Sequence, residues 1–270
     1  MYFLISRLAP HGVDITVFDE ISQQRAPNWR SLRFLKRRGL VAFVDLMLLQ
    51  WEASLASMRR SVHGKSRVDE PVGGVAEMDV SRPFLFRKSL AALVTIGEDS
   101  GENGRWFRVA NINAQATIEQ IRDVGADHVL LCGAPLIRMS KFDKIGRLIN
   151  CHCGIAPHYK GSSPMHWACY YRDWDNIGYT IHVATSEVDG GPIIFQERNR
   201  PRAGWTLTDL DWFTVYSMYS KLAELIVKDE LRQLAANAEP QTPGIDSFPP
   251  MGMIRSRIAA HRLRSYLTGK

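Results

Sequence analysis

Apolar residues recur along the chain with the spacings of both helices and strands. Residues 2–9 have a helical spacing that His11 and Gly12 interrupt, and the β-branched run at 14–18 predicts a strand. Further along, the pattern predicts a helix at 115–124, with Gly125 after it, and a strand at 128–132. Strands that alternate with helices indicate an α/β fold with a doubly wound, Rossmann-like and mostly parallel sheet.

The spacing of apolar residues also predicts the remaining strands and helices. We expect strands at 106–110, in the segment that ends at Asn150, at 179–184 and at 192–196, and helices at 29–62, 141–145 and 165–172. Thr208 and Asp211 have the spacing of a helix start, and a periodic helix follows to about residue 236. Prolines and glycines interrupt a few apolar runs in residues 68–99, so the pattern there assigns neither a helix nor a strand.

Composition indicates a globular protein with one α/β domain. A hydrophobic content of 45% in 270 residues is enough for a sizeable core. The four cysteines lack a paired secretory spacing and no signal peptide is recognisable, so we expect a cytoplasmic location. The apolar segment 40–51 is too short to cross a bilayer and contains Asp45, so we expect a buried or amphipathic helix, with an interfacial helix as the alternative.

The formal net charge of +6 is concentrated in two segments. Residues 25–38 hold six basic side chains and no acid, and residues 251–270 hold five and no acid. Prolines cluster between 240 and 250. We therefore predict a catalytic domain at 1–236, followed at 237–270 by a Pro-rich linker and a basic C-terminal tail. A solvated helix face explains such a tail better than contact with nucleic acid, a phosphorylated ligand or a membrane.

Asn150 and His152 are the candidate chemical groups at a strand end. Strand alternation places these two side chains on one face and Cys151 and Cys153 on the other. A histidine beside an amide donor can move protons and stabilise an oxyanion, and a later aspartate, Asp189, can orient the imidazole. Acyl transfer to an amine needs these functions. The alternation disfavours a metal site at residues 151–153, because tetrahedral zinc needs ligands that converge from one side.

Four elements in a fixed order extend this candidate site. They are Asn-x-His at 150–152, a turn with Pro157 and Gly161, Gly-x-Thr-x-His at 178–182, and Asp-Gly-Gly-Pro-Ile-Ile from residue 189. Together they closely resemble the formyltransferases that use 10-formyltetrahydrofolate, including glycinamide ribonucleotide formyltransferase and the catalytic domain of methionyl-tRNA formyltransferase. The resemblance covers roughly residues 127–226.

The resemblance implies a mechanism and a donor. Asn150, His152 and Asp189 would be the catalytic residues for direct attack of an amine on the formyl carbon, with 10-formyltetrahydrofolate as the donor co-substrate. It also implies that the pterin ring lies against two segments, namely Leu136, Ile137 and Arg138, and Ser186, Glu187 and Val188. Other histidines (His158, His166 and His182) are expected to be structural or to lie on the acceptor side, and Cys132 and Cys169 are expected in the core.

This chain also departs from the family pattern. Family members usually open with a strand and a glycine-containing loop, whereas this chain opens on a predicted helix, so we expect a missing first strand and a truncated N-terminal edge. Cys153 and Gly154 replace the Pro-Ser or Ala-Ser that often follows the catalytic histidine.

These features leave several functions open. We favour a small-molecule amine acceptor, such as an amino sugar or sugar nucleotide, over nucleic acid. Glycinamide ribonucleotide is an alternative acceptor, although the N-terminal glycine-rich loop that binds its phosphate in that enzyme is absent. Hydrolysis of 10-formyltetrahydrofolate and a non-catalytic homologue that binds folate or a partner are further alternatives.

Overall fold

The computed structural model describes residues 2–20, 92–97, 105–143, 145–242 and 246–270. Several predictions lie outside these ranges: the helix at 29–62 with its apolar segment at 40–51, the basic cluster at 25–38, and residues 68–99 apart from 92–97.

Seven strands and six helices make up the described part of the chain. The strands are β1 (Asp14–Glu20), β2 (Ala92–Gly97), β3 (Arg105–Val109), β4 (His128–Cys132), β5 (Arg147–His152), β6 (Gly178–Val183) and β7 (Ile193–Arg198). The helices are α1 (Tyr2–Leu8), α2 (Gln115–Asp123), α3 (Pro164–Tyr171), α4 (Leu207–Val227), α5 (Leu231–Ala236) and α6 (Met253–Thr268).

All seven strands form one sheet, in the order β3-β1-β2-β4-β5-β6-β7. The pairs β1–β3 and β4–β5 are parallel, and the other four pairs are antiparallel. The predicted α/β class is confirmed, with parallel pairs in a mixed sheet. Strand direction differs from the prediction because residue periodicity reports which face a side chain occupies and carries no information on which neighbour the strand joins.

Helices cover both faces of the sheet, as a doubly wound fold requires. On one face α1 and α4 pack on a core that includes Ile149 and Cys151 of β5. On the other face α2 packs on a core that includes Leu148 of the same strand. Alternate residues of β5 therefore enter opposite cores, which fixes the register of this strand and the direction of its polar side chains.

The C-terminal segment also packs against the body of the protein. In α6, Ala259 and Leu263 are buried in a third core together with Trp167 of α3. The guanidinium groups of Arg255 and Arg262 lie over the rings of Trp167 and Tyr170. Basic composition pointed to a tail at 251–270, whereas the structure shows a docked helix, because only a narrow stripe of α6 is apolar and arginine stems cover aromatic surface.

Three element predictions need correction. The capping box of α4 is formed by Thr206 and Asp209, so the helix begins two residues before the predicted start at Thr208. The predicted helix to residue 236 is interrupted after Val227, where Asp229 has a φ of 54°. In place of the predicted helix at 141–145, a short 3₁₀ turn covers Met139–Lys141.

None of the helices in the described ranges is both long enough and apolar enough to cross a membrane.

Candidate active site

The carboxyl end of β5 places Asn150 and His152 on one face of the sheet. Cys151, between them, is buried in the core on the opposite face. On β6, His182 is the register partner of Asn150, and Thr180 is the partner of His152. The predicted alternation of this strand is confirmed, and the neighbouring strand adds a threonine and a second histidine to the same face.

Asp189 completes a hydrogen-bonded group with the two predicted residues of β5. The amide Nδ2 of Asn150 donates to Asp189 Oδ1 over 2.7 Å. Nδ1 of His152 lies 3.4 Å from Asp189 Oδ2. The structure thus brings together the three side chains that the sequence analysis selected, although Asp189 lies on the loop between β6 and β7.

The position of Asp189 depends on backbone partners. Its φ of 49° is in the left-handed region, which non-glycine residues adopt at a cost of about 1 kcal/mol or more. The N–H of Gly161 donates to Asp189 Oδ2 over 2.8 Å, and Gln241 Nε2 donates to the backbone oxygens of Asp189 and Gly191. Contacts from two distant segments therefore hold an uncommon backbone conformation.

His152 is a buried imidazole, with 6% of its surface exposed. Burial lowers its pKa, and the nearby Asp189 carboxylate opposes that shift only in part, so the ring is neutral at pH 7. Nε2 lies 2.7 Å from the carbonyl oxygen of Tyr159. Because a carbonyl oxygen only accepts, the hydrogen-bond network assigns the ring proton to Nε2 and leaves Nδ1, beside Asp189, as the basic nitrogen.

Asp189 is ionised at neutral pH. Burial by itself would raise its pKa, but His182, His152 and the N–H of Gly161 outweigh the burial, and the pKa is lowered. A carboxylate and a neutral imidazole thus lie side by side. This pair can accept a proton on the imidazole and stabilise the resulting positive charge.

His182 and Thr180, which the sequence analysis did not select as catalytic, hold the site from β6. Nε2 of His182 lies 3.0 Å from Asn150 Nδ2, and its Nδ1 lies 2.9 Å from the Val183 carbonyl oxygen. The hydroxyl of Thr180 donates to Gly154 O and accepts from the N–H of Ala156, fixing the turn after β5. The Gly-x-Thr-x-His element contained this signal, because alternation puts Thr180 and His182 on one face.

A cavity of about 420 Å³ opens from this group. Of the six predicted donor-binding residues, five line it: Leu136, Ile137, Ser186, Glu187 and Val188. Arg138 is not among the lining residues of the described chain; its N–H instead donates to Asn113 Oδ1 over 2.7 Å. Leu136 and Val188 are 75% and 41% exposed, so exposed apolar side chains border the cavity along with the polar ones.

Three of the four cysteines are buried thiols, and Cys153 is half-buried. Cys132 and Cys169 lie in the core, as expected. Burial raises the pKa of Cys153 and Cys169 to about 12 in each case, so these thiols are protonated at pH 7. The structure, within its described ranges, holds no group of three histidine, cysteine or acidic side chains that could bind a metal ion.

Comparison with known proteins shows which family the sequence of this chain resembles. The sequence profile described as formyl transferase matches residues 80–211, which include Asn150, His152 and Asp189. A methionyl-tRNA formyltransferase of Deinococcus radiodurans is 32% identical over 111 residues, which are 40% of this chain and 33% of that protein. A formyltetrahydrofolate deformylase of Corynebacterium sp. is 25% identical over 183 residues, which are 67% of this chain and 59% of that protein.

Among solved structures, a sugar N-formyltransferase from Shewanella sp. superposes with a TM-score of 0.44 at 18% identity, over 58% of this chain and 67% of that one. The chain spans about a third of the length of the methionyl-tRNA formyltransferase and 59% of the length of the deformylase. The resemblance in the sequence is confirmed by the profile, which matches residues 80–211, just under half of the chain.

Proposed function

We propose that this protein transfers a formyl group from 10-formyltetrahydrofolate to the amine of a small metabolite. The observation that carries the proposal is the contact of Asn150, His152 and Asp189 at the polar end of one cavity. These groups supply an N–H donor and a basic nitrogen, each within 3.4 Å of the Asp189 carboxylate. Acyl transfer to an amine requires such groups.

The donor side of the proposal is supported by the cavity and by the relatives. Five of the six residues predicted to contact the pterin line the cavity, and its volume is within the range of small-molecule sites. The deformylase relative has formyltetrahydrofolate in its name. The residues thus fit a reduced folate as a substrate that lies between the loops at 133–139 and 184–189.

The proposed reaction is a direct attack without an enzyme-bound intermediate. The amine forms a bond to the formyl carbon, and the bond between that carbon and the folate nitrogen breaks. The attacking nitrogen loses one proton and the leaving folate nitrogen gains one, so no net proton is consumed. Nδ1 of His152 accepts and returns this proton, and Asp189 orients the ring, stabilises its charged form and assists the transfer through water.

Asn150 and the protonated His152 stabilise the oxyanion. Both N–H groups of Asn150 Nδ2 have partners in this structure, Asp189 Oδ1 and His182 Nε2. One of them must therefore turn from its partner to the formyl oxygen during the reaction. Such a donor is worth about 10²- to 10³-fold in rate in other acyl-transfer sites.

For the acceptor, we propose an amino sugar or a sugar nucleotide. The resemblance of residues 127–226 to the formyltransferases supports this choice, together with the absence of the glycine-rich loop that binds the phosphate of glycinamide ribonucleotide. Water is a competing acceptor, because the deformylase relative is named for loss of the formyl group.

A release assay tests the function. The protein is incubated with 10-formyltetrahydrofolate and with amino-sugar nucleotides, glycinamide ribonucleotide or water alone, while release of tetrahydrofolate is followed. We expect release that depends on an amino sugar. A folded protein that releases no tetrahydrofolate with any acceptor would contradict the enzyme activity, and equal release in water alone would favour the hydrolase.

Substitution of the proposed proton-transfer pair tests the mechanism. We expect His152→Ala and Asp189→Asn each to lower kcat by about 10²- to 10⁴-fold, while the affinity for the folate changes little. His158→Ala is the matched control, because His158 is exposed and lies only six residues from His152. Wild-type turnover in either site variant would refute the assigned roles.

A further inference from the structure

Three consecutive residues hold the proposed site from one side. Tyr159 offers its carbonyl oxygen to His152 Nε2, and Gly161 donates its N–H to Asp189 Oδ2. Between them, Nζ of Lys160 lies 2.5 Å from Glu187 Oε1. The segment 159–161 therefore contacts two of the three proposed catalytic side chains, and its middle residue contacts the same loop that carries Asp189.

Lys160 is an unusual residue for this place. Only 3% of its surface is exposed, whereas the side chain of Glu187 is 57% exposed. An ammonium group is buried at a large cost in solvation free energy unless a counter-charge lies close to it. Glu187 is the one acidic partner within ion-pair distance in the part of the chain that the structure describes. The ion pair thus draws Glu187, and the loop that carries it, onto Lys160.

The loop at 185–191 is shaped around this ion pair. Glu187 accepts from the N–H of Gly190 through its carbonyl oxygen, and its N–H donates to Thr185 Oγ1. A Cβ atom on Gly190 would lie 2.2 Å from Cδ of Glu187. The Glu187 side chain therefore crosses Gly190 on its way to Lys160, and only glycine leaves room for it there.

Asp189 lies between these contacts in its left-handed conformation. Such a conformation persists only where surrounding contacts hold it. Asp189 itself accepts from the Asn150 amide and the Gly161 N–H, and its carbonyl oxygen accepts from Gln241. Two residues earlier, Glu187 ties the loop to Lys160. Loss of the ion pair would leave the carboxylate of Asp189 with fewer constraints on its approach to His152.

We propose that Lys160 is a positioning residue, which through Glu187 holds the loop at 185–191 so that Asp189 meets Asn150 and His152. This inference rests on the proposed function for its kinetic consequence, and on geometry alone for its effect on the loop. Lys160 touches none of the proposed reacting groups. It acts by restricting a loop that also borders the proposed folate site, so we expect a larger effect on kcat than on the affinity for the substrates.

Hydrogen exchange of the whole protein tests the effect on the loop without any assay of activity. In Lys160→Met and in Glu187→Gln, we expect the amides of residues 185–191 to exchange several-fold faster than in the wild type. Lys160→Arg keeps the positive charge and should restore part of the protection. Lys228→Met is the matched control, because Lys228 forms an exposed ion pair with Glu224 at 2.7 Å on α4 and should leave this loop unchanged.

Kinetics with 10-formyltetrahydrofolate and the accepted amine test the consequence. We expect Lys160→Met to lower kcat about 10- to 100-fold with a smaller rise in KM, and Glu187→Gln, whose side chain also lines the cavity, to lower kcat by a similar factor. The double variant should lose no more than the worse single variant, because both changes remove one interaction. A purely structural role would lower the urea midpoint without this split between kcat and KM.

The two proposals fail in different ways. Unchanged loop exchange in both Lys160→Met and Glu187→Gln overturns the positioning role, even if the wild type transfers formyl groups. Faster loop exchange with unchanged kcat also overturns it. Absence of formyl transfer in the wild type refutes the proposed function, and the exchange experiment then still decides whether Lys160 holds the loop.

Discussion

The turn after β5 brings His152 close to the backbone at Gly154. A Cβ atom at Gly154 would lie 2.5 Å from both His152 Nε2 and Tyr159 O, and 2.6 Å from Pro164 Cβ. The close packing around residue 154 therefore explains why this chain has a glycine where family members often have a serine. Here the absence of a side chain permits the short contact that fixes the tautomer of His152.

We predict that Gly154→Ala damages turnover more than stability. The added methyl group must displace His152 or Tyr159, and an error of about 1 Å in a reacting group costs up to about 100-fold in rate. Steady-state kinetics and urea unfolding would measure the two effects. Gly204→Ala is the control for backbone strain, since Gly204 has a φ of 82° and a Cβ atom there would meet nothing within 4 Å. Equal kcat values for Gly154→Ala and the wild type would contradict this account of the turn.

At the scale of elements, α3 and α4 are joined by an ion pair apart from the proposed site. His166 Nε2 lies 2.9 Å from Asp211 Oδ2, and the two side chains are 22% and 40% exposed. Burial lowers the pKa of His166, but the hydrogen bond and charge of Asp211 outweigh it, and the pKa is raised above 6.5. This histidine therefore has a structural position, as the sequence analysis expected.

The raised pKa predicts a pH-dependent contribution to stability. Because the folded state binds the proton more tightly, the pair stabilises fully below the unfolded pKa of about 6.5, and the contribution disappears as pH rises through the folded pKa. We expect Asp211→Asn to lower the free energy of unfolding by about 0.5–1 kcal/mol at pH 5, and by less at pH 9.

Urea unfolding of wild type and variant from pH 5 to 9 would measure this difference. Glu224→Gln is the control, because it removes an exposed carboxylate that pairs with Lys221 and Lys228 and, among the described residues, with no histidine. A loss for Asp211→Asn that grows with pH would refute the sign of the effect.

At the scale of the whole molecule, the C-terminal segment links α6 to the proposed site. Phe248 exchanges backbone hydrogen bonds with Lys160 O and the N–H of Ser162, and its ring stacks on Tyr159 at 5.5 Å. Leu263 of α6 is 1% exposed in the same core as Phe248 and Tyr159. The segment predicted as a separate linker and tail therefore packs behind the residues that hold His152 and Asp189.

We predict that α6 unfolds together with the sheet. Leu263→Ala should lower the free energy of unfolding by about 2–5 kcal/mol, because it removes buried methyl groups and leaves a cavity. Arg264→Ala, at the exposed neighbouring position, should change it by about 0.5 kcal/mol or less. Urea unfolding followed by circular dichroism would measure both. A wild-type midpoint for Leu263→Ala would show that α6 adds no stability to the domain.

The local pattern of apolar and polar residues was sufficient to predict the strands near the proposed site. The strand at 128–132 and the alternation of Asn150, Cys151 and His152 were predictable, because side-chain direction in a strand depends only on residue parity. The ordered elements of the sequence also indicated Asp189 and most of the cavity wall. Each of these elements is a short run of residues, so it can be recognised in the sequence although the elements lie far apart along the chain.

Tertiary structure decided the rest. The antiparallel place of β2, the docking of α6 and the contacts of Gly161, Lys160 and Gln241 with one loop all join segments far apart in the sequence. Such contacts depend on how distant segments are brought together, and several of them use backbone groups, which every residue carries and no residue type signals. The sequence by itself thus determined which side chains carry the proposed chemistry, and only the folded chain determined what holds them in position.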